Sequence, residues 1–214
     1  NITSLSLDSL ALAQDISLAC SASVSKGTAH LHNFNSTIGN TDLTMHGSYS
    51  LSAGTADAEL MLAVPSLKEL QNITKMKDLT GKVSLLVSAQ GSLTQPHAEI
   101  NLTVDSLSLG TVRIGSLNIE TDLSENGTAT VKNITVTNNA SQLNLTGSSR
   151  ILNEGKLIPA DSLTFHCSLA STGLYIEDFI DSLFGTITIA STIDGTINNP
   201  QGHINLTGKD LTVS

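Results

Sequence analysis

The side chains best suited to chemistry in this sequence are its six histidines. His30 and His32 share one face of a predicted strand, where two imidazoles can hold a metal ion. The sequence aligns with itself at an offset of 100 residues in this region, and the second copy has Thr130 and Lys132 at those positions. No metal site is repeated, and the sequence predicts none.

Cysteine and serine are the candidate nucleophiles, and neither stands in a catalytic pattern. Cys167 follows His166 directly, so on a strand the two side chains point to opposite faces and form a poor dyad. The sequence has no Gly-x-Ser-x-Gly motif, which marks the nucleophile elbow of hydrolases. Cys20 and Cys167 fit neither a disulfide framework nor a zinc site, and we expect both to be small buried hydrophobic residues. The sequence thus predicts a non-enzymatic protein without a cofactor.

The composition indicates a long β-surface. Only 3% of the residues are aromatic and 14% are charged, while Ser, Thr and Asn alternate with Leu, Ile and Val. Such alternation is typical of sheets with one apolar and one polar face. The formal net charge is −9, with ten basic residues scattered among nineteen acidic ones. Nucleic-acid binding normally requires clustered basic residues, so we expect no nucleic-acid partner.

Two further features of the sequence concern a membrane-spanning helix and the ends of the chain. No stretch approaches 18 consecutive apolar residues, the length that predicts a membrane-spanning helix. The alternating pattern is already under way at Asn1 and is still running at Ser214. We therefore expect the chain to be a piece of a longer protein.

An internal repeat organises the chain. The stretch from Gly91 to Thr103 reads GSLTQPHAEINLT, and it returns 104 residues later, from Gly195 to Thr207, as GTINNPQGHINLT. Residues 27–47 align in the same way with residues 127–147, at an offset of 100. A self-match at a fixed long period indicates repeated structural units.

We expect a single elongated repeat domain over residues 1–214, with approximate units 1–109 and 110–214. Each unit is predicted to hold six or seven antiparallel strands and one short amphipathic helix. The motif at Gly91 is interpreted as a hinge between strands that sets the register of its unit.

A helical pattern occurs once in each unit. In the first unit Ser66 and Glu69 form a predicted capping box, and apolar residues follow at helical spacing, namely Leu67, Leu70, Ile73, Met76 and Leu79. In the second unit the apolar stripe consists of Ile176, Phe179, Ile180, Leu183 and Phe184. We expect each helix, about 12 residues long, to act either as a flap over the apolar face or as a cap that protects an edge or end of the sheet.

The predicted number of strands limits the architecture. Some fourteen antiparallel strands cannot stay a flat open sheet, so they form a sandwich, a barrel or a long curved groove. A sandwich usually recruits large aromatic residues, whereas a continuous face of Leu, Ile and Val suits flexible acyl chains. The same pattern also fits a plain aliphatic core. As a groove, fourteen strands would extend about 65 Å.

The segments from Gly81 to Leu109 and from Gly185 to Val213 carry a family resemblance. Each passes from a Gly at the end of the predicted helix through a Gly-x-Leu/Ile-x-x-Pro turn into a strand. Asp105-Ser106-Leu107 is typical of the strand after that turn. Through the repeat, this pattern covers most of the chain and resembles the TamB/AsmA-like envelope proteins, in particular the C-terminal region of TamB. The resemblance implies a β-taco, a long U-shaped antiparallel sheet with a hydrophobic concave face.

The resemblance also implies a location and partners. Proteins of this family are anchored in the inner membrane and cross the periplasm of diderm bacteria. They are implicated in phospholipid transport to the outer membrane and in outer-membrane protein assembly. The implied partners are phospholipid acyl chains and, through the full-length chain, an outer-membrane barrel protein. The C-terminal segment that would meet such a barrel is not identified in this sequence.

The leading hypothesis is a non-enzymatic lipid conduit, in which a hydrophobic β-groove shields acyl chains between the inner and outer membranes. The alternatives are a scaffold or chaperone that pairs its sheet edge with nascent barrel strands, and a plain structural sandwich or solenoid. The unit of about 100 residues argues against a solenoid, whose rungs repeat every 20–30 residues. The groove-facing residues predicted from the alternation are Leu85, Val87, Ile100, Leu102, Val104, Leu117, Ile119, Leu143, Leu145, Leu163, Phe165, Ile187, Ile189, Ile204 and Leu206.

Overall fold

The structure is a computed structural model that describes residues 16–71, 78–92 and 94–213. Alternating apolar and polar residues form strands through most of this range, because successive side chains of a strand point to opposite faces. The fold is all-β. Its strands are β1 (Ile16–Ser25), β2 (Thr28–Ile38), β3 (Thr41–Ser50), β4 (Thr55–Val64), β5 (Leu79–Ser92), β6 (Pro96–Leu109), β7 (Val112–Leu123), β8 (Thr128–Asn138), β9 (Ser141–Arg150), β10 (Leu152–Asn153), β11 (Lys156–Leu157), β12 (Thr164–Tyr175), β13 (Leu183–Thr196) and β14 (Asn199–Val213).

Twelve of these strands form one antiparallel sheet in which every strand lies beside its neighbours in sequence. The short strands β10 and β11 pair with each other, so β12 follows β9 in the main sheet. Lys26 and Gly27 join β1 to β2 with φ angles of 46° and 77°, the left-handed conformation that a two-residue hairpin turn requires. At a spacing of about 4.8 Å, the sheet extends roughly 53 Å from β1 to β14.

The sheet is open and forms a single layer. Within the described residues β1 pairs only with β2 and β14 only with β13, so the sheet does not close into a barrel. The only other sheet described is the β10–β11 pair, which is too small to cover a face. Val64 and Val104, 3% and 6% exposed, are the only buried hydrophobic side chains found there. The described residues therefore form neither a sandwich nor a barrel.

The exposure of the two cysteines follows from this architecture. Both thiols are free; Cys20 is exposed and Cys167 is half-buried. The expectation that both are buried is wrong for Cys20, because β1 is an edge strand of the described sheet and no second layer covers it within the described residues.

The helix predicted after β4 lies only partly within the described residues. Leu67–Leu70 forms a 3-10 turn, and the Ser66 side chain makes no capping hydrogen bond. The Glu69 carboxylate instead accepts hydrogen bonds from the side-chain and backbone nitrogens of Asn40, at 2.8 and 3.4 Å. The predicted capping box is wrong, because this carboxylate finds two donors at the β2–β3 turn. Residues 72–77 lie outside the described residues.

The helix predicted in the second unit is wrong. Ile176–Asp178 forms a single 3-10 turn, and β13 already begins at Leu183. Leu183 and Phe184 pair with Val213 and Thr212 of β14. A helix through these residues would lose the ladder to β14, so strand pairing prevails over an apolar stripe at helical spacing.

The strand boundaries recur along the chain. β8 and β9 begin at Thr128 and Ser141, 100 residues after β2 and β3 begin at Thr28 and Thr41. β13 begins and ends 104 residues after β5 begins and ends. The two offsets equal those of the sequence self-match, and the insertion between them includes the β10–β11 hairpin.

Irregularities of the ladders recur at the same offsets. The β2–β3 register shifts between Leu31 and Phe34, and the β8–β9 register shifts between Val131 and Ile134. Each shift places one extra residue in the strand, which bends and twists the sheet locally.

A second irregularity combines two residues with positive φ. Gly81 and Gly185 have φ angles of 137° and 123°, and each lies where its strand slips against the next. On the paired strands Ser106 and Asp210 have φ angles of 53° and 55°, a conformation that residues with a Cβ rarely adopt. The same unusual backbone geometry thus occurs at positions 104 residues apart.

Candidate functional site

The predicted groove residues lie together on one side of the sheet, called here the aliphatic face. Partners across an antiparallel ladder point to the same side, so the pairing register assigns each residue to a face. Leu163 is the exception, since it follows the 3-10 turn Ala160–Ser162 and precedes β12. The residues that the register places on the aliphatic face are Leu85, Val87, Ile100, Leu102, Val104, Leu117, Ile119, Leu143, Leu145, Phe165, Ile187, Ile189, Ile204 and Leu206.

One row of this face crosses the whole sheet, with one residue from each of the twelve strands. Every member is aliphatic except Ser36 and Ser191. In strand order the row is Leu18, Ser36, Leu43, Leu62, Leu85, Leu102, Ile119, Ile134, Leu145, Leu169, Ser191 and Ile204.

Parallel rows extend the aliphatic face along the strands. On one side lie residues such as Leu60, Val87 and Ile100, and on the other Val83, Val104 and Leu117. The face therefore continues in two directions, across the strands and along them.

The sequence-based set missed several members of this face. Leu18, Leu43, Ile134 and Leu169 belong to the central row but not to the predicted set. Alternation assigns residues to one of two faces within a strand, but it does not relate the faces of different strands. The bulges add to the difficulty, because each reverses the alternation within its strand.

The opposite face of the sheet is mainly polar, although Met61 and Leu86 lie exposed on it. The row next to the central row contains Ser17, Thr37, Asp42, Ala63, Ser84, Thr103, Asn118, Thr135, Asn144, Ala170, Ala190 and Asn205. Cross-strand hydrogen bonds connect parts of it, as from Thr135 Oγ1 to Asn144 Oδ1 at 3.0 Å. Lys132 lies 3.4 Å from Glu99 and 3.6 Å from Asp122 on this face. The sheet thus has one side suited to water and one suited to apolar ligands.

The aliphatic face is partly accessible along its whole length. Most of its side chains are half-buried by one another, and Ile100 remains 39% exposed near the middle of the sheet. At the β1 end of the sheet the face deepens into a cavity of about 570 Å³, lined by Ala22, Ala29, Ala56, Ala58 and Gly47 among others. Small side chains create this depression, whose size is in the range of ligand pockets.

The first and third 3-10 turns lie at the same end of the strands, whereas the second, Ala160–Ser162, precedes β12 at the other end. The first contacts the β2–β3 turn through Glu69. The third, Ile176–Asp178, lies beside the start of β7, where Arg113 donates to the Glu177 carbonyl at 2.9 Å and to Asp181 Oδ1 at 2.6 Å. The Arg113 backbone nitrogen also donates to the Phe179 carbonyl at 3.0 Å. In the described residues these two turns therefore close one end of the sheet, where Val64 and Val104 of the aliphatic face are buried, and leave the rest of that face accessible.

Asp178 is the centre of this closure. Its carboxylate accepts hydrogen bonds from Ser141 Oγ at 2.7 Å and from Asn139 Nδ2 at 3.0 Å. Burial of the carboxyl opposes its ionisation. The pKa of Asp178 is nevertheless lowered, because the two side-chain hydrogen bonds, a further hydrogen bond from the Ser141 backbone and the charge of Arg113 outweigh that effect. The lowered pKa means that folding favours the ionised carboxylate.

Asp178→Asn is expected to lower the free energy of unfolding at pH 7 by about 1–2 kcal/mol, because hydrogen bonds to a charged acceptor are lost. A lowered pKa contributes stability above the unfolded pKa, near 3.9 for Asp, and that contribution disappears as the pH falls through the folded value. The difference between the two proteins should therefore shrink below about pH 4. Urea unfolding at several pH values measures both effects.

Asp181→Asn is the matched control for this prediction. Asp181 also contacts the turn through Arg113, but its side chain is 83% exposed. Exposed ion pairs contribute little to stability, so we expect a loss below about 0.5 kcal/mol. Equal losses for the two variants would contradict the assignment of Asp178 as the centre of the closure.

The histidines do not converge on a site within the described residues. The rings of His30 and His32 stack with their centroids 5.9 Å apart, and His32 Nε2 lies 2.7 Å from Ser23 Oγ. His166 contacts Asp194 on the polar face, whereas Cys167 lies on the aliphatic face opposite Ile193. No group of three or more potential metal ligands occurs among residues 16–71, 78–92 and 94–213.

Comparison of the chain with models of protein families, with curated proteins and with solved structures gave no match. Among the described residues, no helix has the length and apolar character needed to cross a membrane.

Proposed function

We propose that the chain is a non-enzymatic lipid conduit whose aliphatic face shields phospholipid acyl chains from water. The observation that carries this proposal is the apolar row that crosses all twelve strands, with no second layer over it in the described residues. Soluble proteins rarely leave an apolar surface of this extent uncovered. Removing an acyl chain from water is favourable by about 0.8 kcal/mol per CH₂ group, so such a chain is a suitable cover.

The chemistry of the face favours an acyl chain over a rigid ligand. The face is composed mainly of Leu, Ile and Val, and it has few polar groups that would orient a ligand. Ligand pockets for small molecules usually place a few polar groups to fix one orientation. A face without them binds through apolar contact alone, which suits a chain that slides along it. The polar headgroup of the lipid would remain in solvent.

The finer architecture is part of the proposal. The recurring strand boundaries and bulges support two units, approximately 1–109 and 110–214, in one elongated domain. The bulges would add curvature, so that the sheet folds into the U-shaped β-taco expected from the resemblance to TamB/AsmA-like proteins. On the basis of that resemblance we also propose a location in the periplasm of a diderm bacterium, with the full-length protein anchored in the inner membrane and phospholipid moving between the inner and outer membranes.

Photo-crosslinking in a diderm host tests the proposed function. A photoreactive amino acid at Leu102 is expected to label phospholipid, because Leu102 lies in the central row between Leu85 and Ile119. The same amino acid at Thr103, the next residue on the polar face, is the control. Mass spectrometry of the labelled protein identifies the adduct. Lipid labelling at Thr103 but not at Leu102 would show that the assignment of the aliphatic face is wrong.

A second candidate function, a scaffold for outer-membrane protein assembly, is favoured by the exposed edges of the sheet. β1 and β14 are exposed at every position, and such edges accept a further strand from a partner. Under this function crosslinkers on β14 label protein strands, and those at Leu102 label neither lipid nor protein.

A further inference from the structure

The two ends of the strands differ in how they are covered. Near Val64 of β4 and Val104 of β6, at the strand ends called here the closed margin, the first and third 3-10 turns reach back to neighbouring strands. At the opposite strand ends, called the open margin, the strands of the first unit are joined by short turns such as Lys26-Gly27 and residues 51–54. In the first unit, the described residues thus cover the aliphatic face at one margin and leave it accessible at the other.

The burial of the aliphatic face follows this asymmetry. Val104 and Ile100 lie on the same face of β6, each between β5 and β7. Val104 is nevertheless 6% exposed, whereas Ile100 is 39% exposed. The first 3-10 turn contributes to this difference, because a Cβ on Gly81 would lie 3.4 Å from Leu67 Cδ1, so that Leu67 packs onto β5 at the closed margin. Water is therefore excluded from the aliphatic face at the closed margin and reaches it towards the open margin.

The size of the side chains changes in the same direction. On three neighbouring strands the aliphatic face consists of Val, Leu and Ile from the closed margin to the centre, and of Ala, Gly and Pro at the open margin. From the closed to the open margin the residues are Val64, Leu62, Leu60, Ala58 and Ala56 on β4, Val83, Leu85, Val87, Ala89 and Gly91 on β5, and Val104, Leu102, Ile100, Ala98 and Pro96 on β6. Because the change occurs at the same level on all three strands, the face offers more room and less apolar contact at the open margin.

The length of the strongly apolar part matches that of an acyl chain. Residues of a strand are about 3.3 Å apart, so Val104 and Ala98 are separated by roughly 20 Å. The hydrocarbon core of a bilayer is about 30 Å thick and contains two layers of chains, which gives about 15 Å for each chain. A chain whose methyl end lies at Val104 would therefore place its ester group between Ile100 and Ala98.

We propose that a phospholipid lies along the strands of the first unit, with the methyl ends of its chains at the closed margin and its headgroup beyond the open margin. This inference rests on the proposed lipid-conduit function and adds the orientation of the lipid. The ester and glycerol groups are polar and costly to remove from water, and they are bulkier than a single chain. Ala58, Ala89 and Ala98 give them room beside solvent. A lipid in this orientation moves sideways from strand to strand, and its headgroup follows the open margin.

A U-shaped sheet also allows a symmetric arrangement, in which the chains end at the middle of the strands and the headgroup leaves between the two margins. In that arrangement both margins lie beside the ester and glycerol groups. The closed margin is poorly suited to such groups, since Val64 and Val104 are apolar and only 3% and 6% exposed. The covered margin therefore favours the tilted orientation over the symmetric one.

Tryptophan fluorescence tests the orientation, because the chain has no Trp of its own. Leu117→Trp and Leu123→Trp place one probe at each margin of the same strand, since Leu117 pairs with Val104 and Leu123 pairs with Ala98. Each full-length variant is loaded with phosphatidylcholine that is brominated either near the methyl ends or near the ester ends of its chains. Bromine quenches Trp fluorescence only at close range. With the probes roughly 20 Å apart, we expect methyl-end bromine to quench Leu117→Trp at least about twofold more than Leu123→Trp, and ester-end bromine to show the opposite preference.

The outcomes separate the orientation from the conduit. The same preference at both margins would indicate the symmetric arrangement, and a reversed preference would place the headgroup at the closed margin; either result overturns the orientation and leaves the conduit standing. Asn118→Trp, next to Leu117 but on the polar face opposite Thr103, is the control and should be quenched by neither lipid. Absence of quenching at Leu117 and Leu123, or equal quenching at Asn118, would contradict the conduit and the orientation together.

A second pair of variants covers a failure to fold, which circular dichroism detects. Val136→Trp replaces Leu117→Trp, because Val136 is the ladder partner of Leu117 on β8. Ala98→Trp replaces Leu123→Trp in the same way on β6. Each carries the probe in the same row of the aliphatic face, so the expected preferences and the results that overturn the orientation are unchanged.

Discussion

Leu102→Asp is expected to reduce the phospholipid that co-purifies with the protein by about tenfold or more. Leu102 lies at the middle of the central row, with Leu85 and Ile119 as its ladder partners. A carboxylate at this position must lose part of its hydration when an acyl chain covers it, which costs several kcal/mol for a charge without a partner. Organic extraction of the purified protein followed by mass spectrometry measures the bound lipid.

The effect on lipid has to be separated from an effect on folding. Thr103→Asp adds the same charge to the same strand on the polar face, where the side chain is exposed, and we expect it to retain lipid. Leu206→Asp places the charge on β14, where Leu206 is 66% exposed and its substitution strains the fold least. Circular dichroism should show β-structure for all three proteins. Wild-type amounts of lipid on folded Leu102→Asp and Leu206→Asp would contradict the conduit.

Much of the strand pattern could be predicted from the sequence, because a single-layer sheet leaves the period-two alternation undisturbed. Lys26-Gly27 is a turn signal in the sequence, and in the structure β1 ends directly before it and β2 begins directly after it. Alternation also grouped Leu102 with Val104 correctly, since no bulge separates them.

The helices were harder to predict, because a short apolar stripe fits two periods. Ile176 and Phe179 stand at helical spacing, yet only one 3-10 turn forms there. A strand forms at Leu183 in place of a helix because Leu183 pairs with Val213 of β14, which lies 30 residues later in the sequence. Local patterns contain no information about such a partner.

The free edges and the positive-φ bulges had no local signal either. Ser106 and Asp210 adopt φ angles near 55°, although neither residue type demands it. Only the comparison of positions 104 residues apart shows that the two bulges are equivalent. In the same way, the exposure of Cys20 depends on which strand lies at the edge, a property of the whole sheet.

Gly91→Ala is expected to lower the free energy of unfolding by about 3 kcal/mol. Gly91 has a φ of 99°, and a Cβ at this position would collide with the Gln95 carbonyl oxygen across the β5–β6 turn. The left-handed backbone costs an L-residue roughly 1–2 kcal/mol, and relief of the collision costs a further 1–3 kcal/mol or so. Urea unfolding followed by circular dichroism measures the loss.

Gly27→Ala separates the two contributions. Gly27 has a φ of 77°, but no atom lies within 4 Å of the added Cβ, so about 1–2 kcal/mol of backbone strain is expected alone. A loss at Gly91 no larger than at Gly27 would show that the close approach to Gln95 is unimportant. Gly195 has a φ of 116° and the same approach, to the Asn199 carbonyl. Among the described residues β14 pairs with β13 alone, so the β13–β14 hairpin can open while the rest of the sheet stays folded, and Gly195→Ala should reduce global stability less than Gly91→Ala.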